Sequence, residues 1–329
     1  MAVVKVSRLK KYYQVHKKEP GLVGSIKSLV SRKYKDVKAV DSISFSIDEG
    51  EFVGFIGPNG AGKTTTLKCL SGLLYPTSGE ISVLGFTPWE KSPEFLKKIA
   101  LVMGQKNQLF WDLPPIETFI LNKEIYEIGQ KRFKETLDEL VKLLDVKDVL
   151  KVQTRKLSLG QRMKCELIAS LLHRPKVLFL DEPTIGLDVV MQKAMRDFIK
   201  EYNRRFGSTI LLTSHYMGDV QELCRRVIII DKGKIIFDGA LSEIVERFAP
   251  RKILSVVFSK EFDLRKLDKI GKIEELSFPK ATISVKREAT SVAAAELLQR
   301  FPVEDLNIEE VPIESVIRQV FTQSSKKGS

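Results

Sequence analysis

The sequence predicts an α/β fold built around a parallel sheet, with a small α+β domain after it. Two continuous apolar runs, residues 177–180 and Thr209–Thr213, are typical of strands that a parallel sheet buries on both faces. A glycine-rich loop lies between an apolar strand at Phe52–Ile56 and a helix predicted at residues 62–74. The composition changes near Pro250, which indicates the start of the second domain.

The length and composition are those of a folded chain. At ~100–200 residues per domain, its 329 residues allow two or three domains. A hydrophobic content of 43% with 29% charged residues excludes a mostly disordered protein. No apolar run approaches the ~20 residues that a membrane span needs, and the first residues lack the apolar segment of a signal peptide. We therefore expect a cytosolic chain that is not a polytopic membrane protein.

Positive charge is concentrated near the N-terminus. Residues 1–38 carry eleven Lys and Arg against two acids, which accounts for +9 of the net +12. The nearly neutral remainder argues against a protein that binds nucleic acid over its whole surface. We define residues 14–38 as the basic insertion. It contains a predicted amphipathic helix at residues 22–30, and either anionic lipid, a membrane subunit or solvent would face it.

The remaining elements of the first domain follow from periodicity. Alternating apolar and polar residues predict strands at residues 2–9 and 39–47. Residues 91–172 are rich in helix formers and predict a helical region. An Asp-Lys-Gly turn between apolar residues 227–230 and 235–237 predicts a hairpin. The cysteines form no metal-binding or disulfide spacing and are expected to be small core residues: Cys69, Cys165 and Cys224.

The second domain is predicted at residues 250–323. Apolar strand patterns occur at residues 253–258 and 281–285, and helices are predicted at 291–301 and near 313–321. The last residues, 324–329, are small and charged and predict a flexible tail. This domain contains no motif that indicates chemistry.

The glycine-rich loop predicts a phosphate-binding site. Gly57-Pro58-Asn59-Gly60-Ala61-Gly62-Lys63-Thr64 fits the pattern G-x-x-x-x-G-K-[ST], and it has a strand before it and a helix after it. The glycines let backbone N–H groups converge on phosphate oxygens, and the N-terminus of the following helix adds partial positive charge. Lys63 is expected to reach the β- and γ-phosphates, and the Thr64 hydroxyl to bind Mg²⁺.

Two carboxylates follow the apolar run at 177–180. Asp181 and Glu182 would lie at the carboxyl edge of the sheet, where open α/β folds bind ligands. Asp181 is suited to hold Mg²⁺ through water, and Glu182 to orient or deprotonate an attacking water. Taken without the glycine-rich loop, the same pattern would equally fit a strand followed by a capped helix.

Two weaker signals complete the set. Ser158 precedes a predicted helix and is a natural N-cap, and Gly160 and Gln161 follow it; an exposed helix N-terminus of this kind also binds anions. His215 comes soon after the strand Thr209–Thr213, at the same sheet edge as the carboxylates.

The order of these motifs resembles the nucleotide-binding domain of the ATP-binding-cassette (ABC) transporter family. In chain order they are residues 57–64, Gln105, residues 157–161, residues 178–183, residues 186–188 and Ser214-His215. The resemblance covers residues 1–245 and implies a RecA-like P-loop NTPase core with a flanking antiparallel β-sheet and a helical subdomain at about 91–172. Residues 161–188 and the added C-terminal domain are similar to exporters of drugs, polysaccharides and lipids.

The resemblance implies a role for each motif residue. The residues implied to bind ATP in this chain are Gly57, Pro58, Asn59, Gly60, Ala61, Gly62, Lys63, Thr64 and Thr65. Thr64, Asp181 and Gln105 would hold Mg²⁺, and Gln105 would also contact the attacking water, with Gln108 as a second candidate. Glu182 would be the catalytic base, and His215 would contact the γ-phosphate.

The resemblance also implies a second copy of the chain. Ser158, Gly160 and Gln161 would bind the γ-phosphate held by that copy, Asp188 would belong to the adjoining D-loop, and two ATP molecules would lie in a head-to-tail dimer. Adenine would stack on Tyr13, with Tyr12 as the second candidate.

One residue departs from the family pattern. The commonest signature has two adjacent glycines, and Leu159 replaces the first of them here. A side chain at this position would crowd the partner's γ-phosphate, although the exporter branch tolerates the change. The apolar residues 109–115 would form a groove for a helix of the membrane subunit, or the core of the helical subdomain.

The resemblance predicts an ATP-hydrolysing subunit that drives export through a separate integral membrane permease, at the cytoplasmic face of the cell membrane. No nucleic-acid partner is expected. The alternative is a soluble ABC ATPase that acts on DNA or ribosomes. Only 93 residues lie between Lys63 and Leu157, which leaves no room for the long coiled coil of the chromosome-maintenance relatives.

Overall fold

The structure is a computed structural model that describes residues 1–16, 34–104, 106–248, 250–262 and 264–327. The predicted helix at 22–30 and Gln105 lie outside the described residues. The chain forms two units, residues 1–238 and 239–329. We predicted the first domain to end at residue 245, but a helix at Leu241–Phe248 belongs to the second unit, where Ile244 is buried and the helix packs against the last helix of the chain.

The strands of the first unit alternate with helices along most of its length. In chain order the strands are β1 (Ala2–His16), β2 (Tyr34–Asp48), β3 (Phe52–Ile56), β4 (Ser78–Val83), β5 (Ile99–Met103), β6 (Val177–Asp181), β7 (Thr209–Thr213), β8 (Arg226–Asp231) and β9 (Lys234–Ala240). The α-helices are α1 (Lys63–Leu70), α2 (Pro93–Leu96), α3 (Pro115–Ile125), α4 (Gln130–Leu144), α5 (Leu159–Leu171), α6 (Val189–Phe206) and α7 (Met217–Leu223).

A six-stranded sheet positions the site. Its strand order is β5-β6-β7-β3-β8-β9, and the pairs from β5 to β8 are parallel. The strands β6 and β7 are buried along their whole length, which explains their uninterrupted apolar sequences. Because the parallel strands share one direction, the loops after β3, β6 and β7 emerge at the same edge.

The flanking sheet is antiparallel, with strand order β2-β1-β4. Its strands β1 and β2 extend beyond the predicted residues 2–9 and 39–47, because they pair out to His16 and Tyr34. Residues 14–16 and 34–38 of the basic insertion are therefore strand. The helix α1 is shorter than predicted: it ends at Leu70, since Gly72 adopts a left-handed φ of 76°.

The second unit combines one antiparallel sheet with helices. Its elements are α8 (Leu241–Phe248), β10 (Arg251–Phe258), β11 (Lys272–Ser277), β12 (Lys280–Lys286), α9 (Thr290–Arg300), β13 (Val303–Glu310) and α10 (Ile313–Lys327). The strand order is β11-β12-β10-β13, and α9 packs on β12 and β13. The helix α10 continues to Lys327, where we predicted a tail from residue 324. None of the described helices is long and apolar enough to cross a bilayer.

Candidate functional site

The glycine-rich loop connects β3 to α1, and two of its glycines leave no room for a side chain. A Cβ built on Gly57 would lie 2.2 Å from the carbonyl oxygen of Ile230. Gly62 has a φ of 110°, and a Cβ built on it would lie 2.4 Å from the carbonyl oxygen of Ala39. Gly60 has a φ of 78° but open space around it. A side chain is therefore excluded at Gly62 by both conformation and contact, and this glycine keeps the loop close to the flanking sheet.

Lys63 is a buried lysine whose ammonium group is held by the loop itself. The side chain is 5% exposed, and Nζ donates to the carbonyl oxygens of Gly57 at 2.7 Å and Pro58 at 3.1 Å. Burial lowers the pKa of Lys63, and the carboxylates of Glu182 and Asp181 oppose that shift. The loop thus holds a cation beside two acids, where it can exchange carbonyl contacts for those of an anionic ligand.

The carboxylate of Asp181 lies at the end of β6 and joins two hydroxyls. Its Oδ1 accepts hydrogen bonds from Thr64 Oγ1 at 3.1 Å and from Thr213 Oγ1 at 2.7 Å. Thr64 and Asp181 are 117 residues apart in the sequence. Their oxygens form the hard donor set that Mg²⁺ prefers, so the two residues fit a magnesium site.

Glu182 and His215 are in direct contact. His215 Nε2 lies 2.7 Å from Glu182 Oε1. The backbone of Glu182 is left-handed, with a φ of 55°, and its amide donates to the carbonyl oxygen of Thr213 at 3.0 Å. A non-glycine residue in this conformation is uncommon and occurs here directly after the buried strand, where it turns the carboxylate toward the histidine.

Lys63, Thr64, Glu182 and His215 line one cavity of about 510 Å³, and Asp181 is joined to this lining through its hydrogen bond with Thr64. Its lining residues are Ala39, Asn59, Gly60, Gly62, Lys63, Thr64, Thr65, Glu182, Ile185 and His215. The cavity combines loop amides, a cation, hydroxyls and a carboxylate–histidine pair, a chemistry suited to a polyphosphate and an attacking water. The predicted residues Ser158, Gly160, Gln161 and Asp188 are not among the lining residues within this chain.

The predicted signature residues form the start of α5. Ser158 and Gln161 exchange a capping box: Ser158 Oγ accepts from the Gln161 amide at 3.2 Å, and Gln161 Oε1 accepts from the Ser158 amide at 3.0 Å. A Cβ on Gly160 would lie 2.4 Å from the Met191 Cε atom. The start of α5 therefore lies against the Met191 side chain, and a side chain at Gly160 would displace the flexible end of that methionine. Asp188 accepts a hydrogen bond from the Met191 amide at 2.9 Å and caps α6.

Leu159, the residue that departs from the family pattern, contacts the same segment. A Cβ built on Gly186 would lie 3.1 Å from its Cδ2 atom, so the leucine packs over the turn that precedes Asp188. The side chain is nonetheless 37% exposed. The signature start and the 186–188 segment thus form one surface, which presents a leucine to its surroundings.

The two tyrosine candidates lie in different environments. The Tyr12 hydroxyl donates to Asp41, and this hydrogen bond raises the pKa of Tyr12 and lowers the pKa of Asp41. Tyr13 is exposed, and the Lys11 ammonium lies 5.1 Å from its ring centroid. The Lys38 ammonium likewise lies 5.4 Å from the Tyr12 ring centroid, so a lysine covers one face of each ring. Only its greater exposure favours Tyr13 for stacking.

Of the two candidate glutamines, Gln105 lies outside the described residues. Gln108 is engaged within the helical segment: its amide nitrogen donates to the Leu101 carbonyl at 2.8 Å, and its oxygen lies 2.9 Å from the Ser170 hydroxyl. These bonds hold Gln108 against α5, and Gln108 is not among the residues that line the cavity. The loop after it exposes three large apolar side chains: Phe110, Trp111 and Leu113.

Sequence reasoning missed Thr213, which joins β7 to the Asp181 carboxylate and to the backbone of Glu182. It donates to Asp181, and both its carbonyl and hydroxyl oxygens accept from the Glu182 amide. The available signal was a threonine at the end of an otherwise apolar strand. Ala39 and Ile185, which also line the cavity, carry no such signal.

Comparison with known proteins identifies the family. Residues 40–185 match the family described as ABC transporter, and residues 250–309 match the family described as EvrA-like ABC transporter, C-terminal domain. The ABC transporter ATP-binding protein NatA of Bacillus subtilis is 35% identical over 220 residues, which are 66% of this chain and 89% of NatA.

The matches to two further relatives span most of the length of those proteins. The uncharacterized ABC transporter ATP-binding protein MJ1023 of Methanocaldococcus jannaschii is 30% identical over 284 residues, 85% of this chain and 97% of that protein. The daunorubicin resistance ATP-binding protein DrrA3 of Streptomyces coeruleorubidus is 34% identical over 213 residues, 65% of this chain and 67% of DrrA3.

A solved structure shares the fold. The dimeric post-hydrolysis state of the ATP-binding cassette MJ0796, bound to ADP and Pi, superposes with a TM-score of 0.60 at 23% identity and covers 72% of this chain and 98% of that one. The predicted family, P-loop ABC fold and ATPase activity are confirmed, and the alternative function on DNA or ribosomes is not favoured. The chain therefore belongs to the ABC transporter family, as an ATP-binding subunit that hydrolyses ATP to power a transporter.

Proposed function

We propose that two copies of this chain bind two Mg²⁺–ATP molecules head to tail and drive export through a separate integral membrane permease at the cytoplasmic face of the membrane. The observation that carries the proposal is the single cavity that brings together the loop, Lys63, Thr64, Glu182 and His215. The export direction is supported by DrrA3, a relative named for daunorubicin resistance, and by the similarity to the exporter branch.

Binding would begin at the loop. The backbone amides around Gly60 and Gly62 and the start of α1 favour phosphate oxygens. The Lys63 ammonium, which bonds two loop carbonyls, would turn to the β- and γ-phosphates. Thr64 and Asp181 would hold Mg²⁺, whose charge neutralises phosphate oxygens when it is bound. Tyr13 would stack on adenine.

Hydrolysis would use Glu182 and His215. The Glu182 carboxylate would accept a proton from the attacking water, and general-base catalysis of this kind contributes about 10²- to 10⁴-fold. His215, now 2.7 Å from Glu182, would hydrogen-bond the γ-phosphate. Gln105 would contact Mg²⁺ and the attacking water, as the resemblance implies.

The second copy would supply the opposite wall of each site. Within one chain the signature residues Ser158, Gly160 and Gln161 do not line the cavity. They form the N-cap and the first turn of the 13-residue helix α5. That helix N-terminus would face the partner's γ-phosphate, and Asp188 would lie at the same surface. ATP would then be part of the interface, so nucleotide affinity and dimerisation would be linked.

The permease would dock on the exposed apolar loop after β5. Phe110, Trp111 and Leu113 are each nearly half exposed, and an exposed group of large apolar side chains favours a partner surface. Trp111 is fixed to α5 by the Arg162 guanidinium, which lies 5.6 Å from its ring centroid. A helix of the permease in this groove would therefore touch a loop that is held by the signature helix.

The test is an affinity capture from membranes of the native cell. The full chain carrying Glu182→Gln is used with ATP and Mg²⁺, because loss of the base should trap the closed dimer. We expect a polytopic membrane protein and a second, differently tagged copy to co-purify. The control is Lys63→Ala, which should recover the second copy far less. Recovery of ribosomes or DNA without a membrane protein would contradict the export proposal.

A further inference from the structure

A fully buried carboxylate lies close to the cavity but outside it. The Asp219 side chain, in the first turn of α7, is 0% exposed. It accepts hydrogen bonds from Thr184 Oγ1, from Ser214 Oγ at 2.7 Å and from Arg196 at 3.1 Å. A buried carboxylate is costly unless such donors surround it. Three donors converge on Asp219, so the arrangement fixes the segments that carry them.

Each of the three donors belongs to a segment of the proposed mechanism. Ser214 directly precedes His215. Thr184 lies two residues after Glu182. Arg196 is on α6, whose first turn is capped by Asp188. One carboxylate therefore joins the backbone on the histidine side, the backbone on the glutamate side and the helix that begins at the predicted dimer surface.

The bond to Ser214 has the most direct consequence. The Ser214 hydroxyl donates to Asp219 and accepts from the Tyr216 amide at 3.0 Å. The same hydroxyl thus spans His215, fixing the residue before it and the peptide after it. The ring position that places Nε2 at 2.7 Å from Glu182 Oε1 depends on this backbone.

We propose that Asp219 is a positioning residue that holds His215 against Glu182 and ties both to the start of α6. The inference rests on the proposed function, because the roles of His215 and Glu182 in hydrolysis are assigned there. Asp219 itself touches neither residue's reacting atoms. It acts through Ser214 on one side and through Thr184 on the other.

Arg196 supplies the positive charge beside Asp219. Its NH1 group lies 3.1 Å from Asp219, and its Nε lies 3.1 Å from the half-exposed Glu222. Thr184 and Ser214 both donate to Oδ2 of Asp219, whereas Arg196 donates to Oδ1. In Asp219→Asn one of these oxygens becomes an NH2 group, so either Arg196 or the pair Ser214 and Thr184 loses its acceptor. In either case one carboxylate no longer holds all three segments.

The test compares full-length chains. Ser214→Ala removes the bond beside His215, Asp219→Asn removes one of the two accepting oxygens and the negative charge, and Thr184→Val removes the bond on the glutamate side. The matched control is Ser208→Ala, which deletes another buried hydroxyl, one that donates to the Pro175 carbonyl at 2.8 Å. For each chain we would measure kcat, KM for ATP and the unfolding midpoint.

We expect Ser214→Ala and Asp219→Asn to lower kcat about tenfold to a hundredfold, since small misplacements of reacting groups have effects of that size. KM should change by less than about twofold, because the loop and Lys63 are untouched. Thr184→Val should lower kcat less, and Ser208→Ala should leave it unchanged. Ser214→Ala combined with His215→Ala should be no slower than His215→Ala alone, as expected for residues acting as one unit.

An unchanged kcat in Ser214→Ala and Asp219→Asn, or a loss no larger than in Ser208→Ala, overturns the positioning role while leaving the ATPase assignment intact. If Asp219→Asn does not fold, Ser214→Ala and Thr184→Val decide the question. If the unmodified chain hydrolyses no ATP, the proposed function fails and takes this inference with it.

Discussion

The two units differ in what they bury. In the first, charged and hydroxyl side chains are buried together at the carboxyl edge of the parallel sheet, among them Lys63, Asp181, Thr213 and Asp219. In the second, the buried polar side chains among the described residues are Ser284 and Thr290. Its core is aliphatic and aromatic.

The contrast has a physical meaning. Burying a polar group costs about 2–7 kcal/mol unless a hydrogen bond compensates it, whereas apolar burial is favourable in itself. The first unit maintains its polar cluster through hydrogen bonds from distant parts of the chain, such as Thr64 to Asp181. A fold has no need of such a cluster for stability, so its presence marks the unit that carries out chemistry. Substitutions in the first unit should therefore affect activity most, and core substitutions in the second unit should affect stability.

Activity should depend strongly on the cavity lysine. Lys63→Ala removes the buried ammonium, and we expect ATP hydrolysis to fall about 100- to 1,000-fold, the range for a positioned electrostatic group. Steady-state ATPase measurements check this, with ATP-induced thermal stabilisation as a binding assay. Lys68→Ala on the same helix is the control and should hydrolyse ATP nearly normally. Equal effects of the two substitutions would contradict the assigned role of Lys63.

A core substitution in the second unit should lower the stability of the protein and leave its activity unchanged. Phe258 is buried and packs on Phe262 with ring centroids 4.6 Å apart. We expect Phe258→Ala to cost about 3–5 kcal/mol of unfolding free energy, with kcat per folded molecule unchanged. Denaturant unfolding measures the cost. The control is Phe278→Ala, at an exposed phenylalanine, which should cost well under about 1 kcal/mol. A large loss of kcat in folded Phe258→Ala would show that the two units are not separable in this way.

Substitutions at two glycines of the loop distinguish the cost of a left-handed backbone conformation from the cost of a steric clash. Gly62→Ala should cost about 3 kcal/mol, since φ is 110° and the new Cβ would meet the Ala39 carbonyl oxygen. Gly60→Ala has the conformational penalty alone, about 1–2 kcal/mol, because nothing lies within 4 Å. Thermal or denaturant unfolding gives both values. Similar costs for the two would mean that the close approach to Ala39 does not constrain the loop.

A buried glutamate on α5 should give a pH-dependent effect. Glu166 is 1% exposed, and burial raises its pKa to about 7, against a smaller opposing effect of Arg162. The folded state thus keeps a proton that the unfolded chain releases between about pH 4.5 and pH 7. Unfolding releases a proton in this window, so the stability contributed by the protonated carboxyl falls as pH rises through it.

Glu166→Gln should remove this dependence. We expect the variant to gain on the order of 2 kcal/mol relative to wild type between pH 4.5 and pH 8, measured by denaturant unfolding at several pH values. His173, whose pKa burial lowers to about 4, titrates in both proteins and cancels in the difference. A difference that is constant with pH would contradict the raised pKa.

How far the sequence predicts this molecule depends on the range of the interactions. The glycine-rich loop, the carboxylates after β6 and His215 are each recognisable within a few residues, and their assembly into one cavity follows from parallel strands sharing an edge. The exact ends of the elements do not follow: β1 runs to His16 rather than residue 9 because it pairs with a distant strand.

The residues that support the site could not be predicted from the sequence, because their partners lie far away along the chain. Asp219 lies four residues after His215 in an ordinary amphipathic helix, and its importance appears only through Thr184 and Arg196, which are 35 and 23 residues away. Likewise, only the fold shows that Gly160 lies against Met191 on another helix. The roles assigned to Lys63, Glu182 and His215 stay predictions, as do those of Tyr13, Gln105 and the signature residues.

The central claim is that the polar cluster at the sheet edge is the hydrolytic site. The most direct test is the kcat of full-length wild type against Glu182→Gln, with nucleotide affinity measured in parallel. We expect a loss of about 10²- to 10⁴-fold in kcat with ATP affinity retained, because Glu182 would act on the water and Lys63 on the phosphates. A Glu182→Gln chain that hydrolyses ATP at the wild-type rate would contradict it.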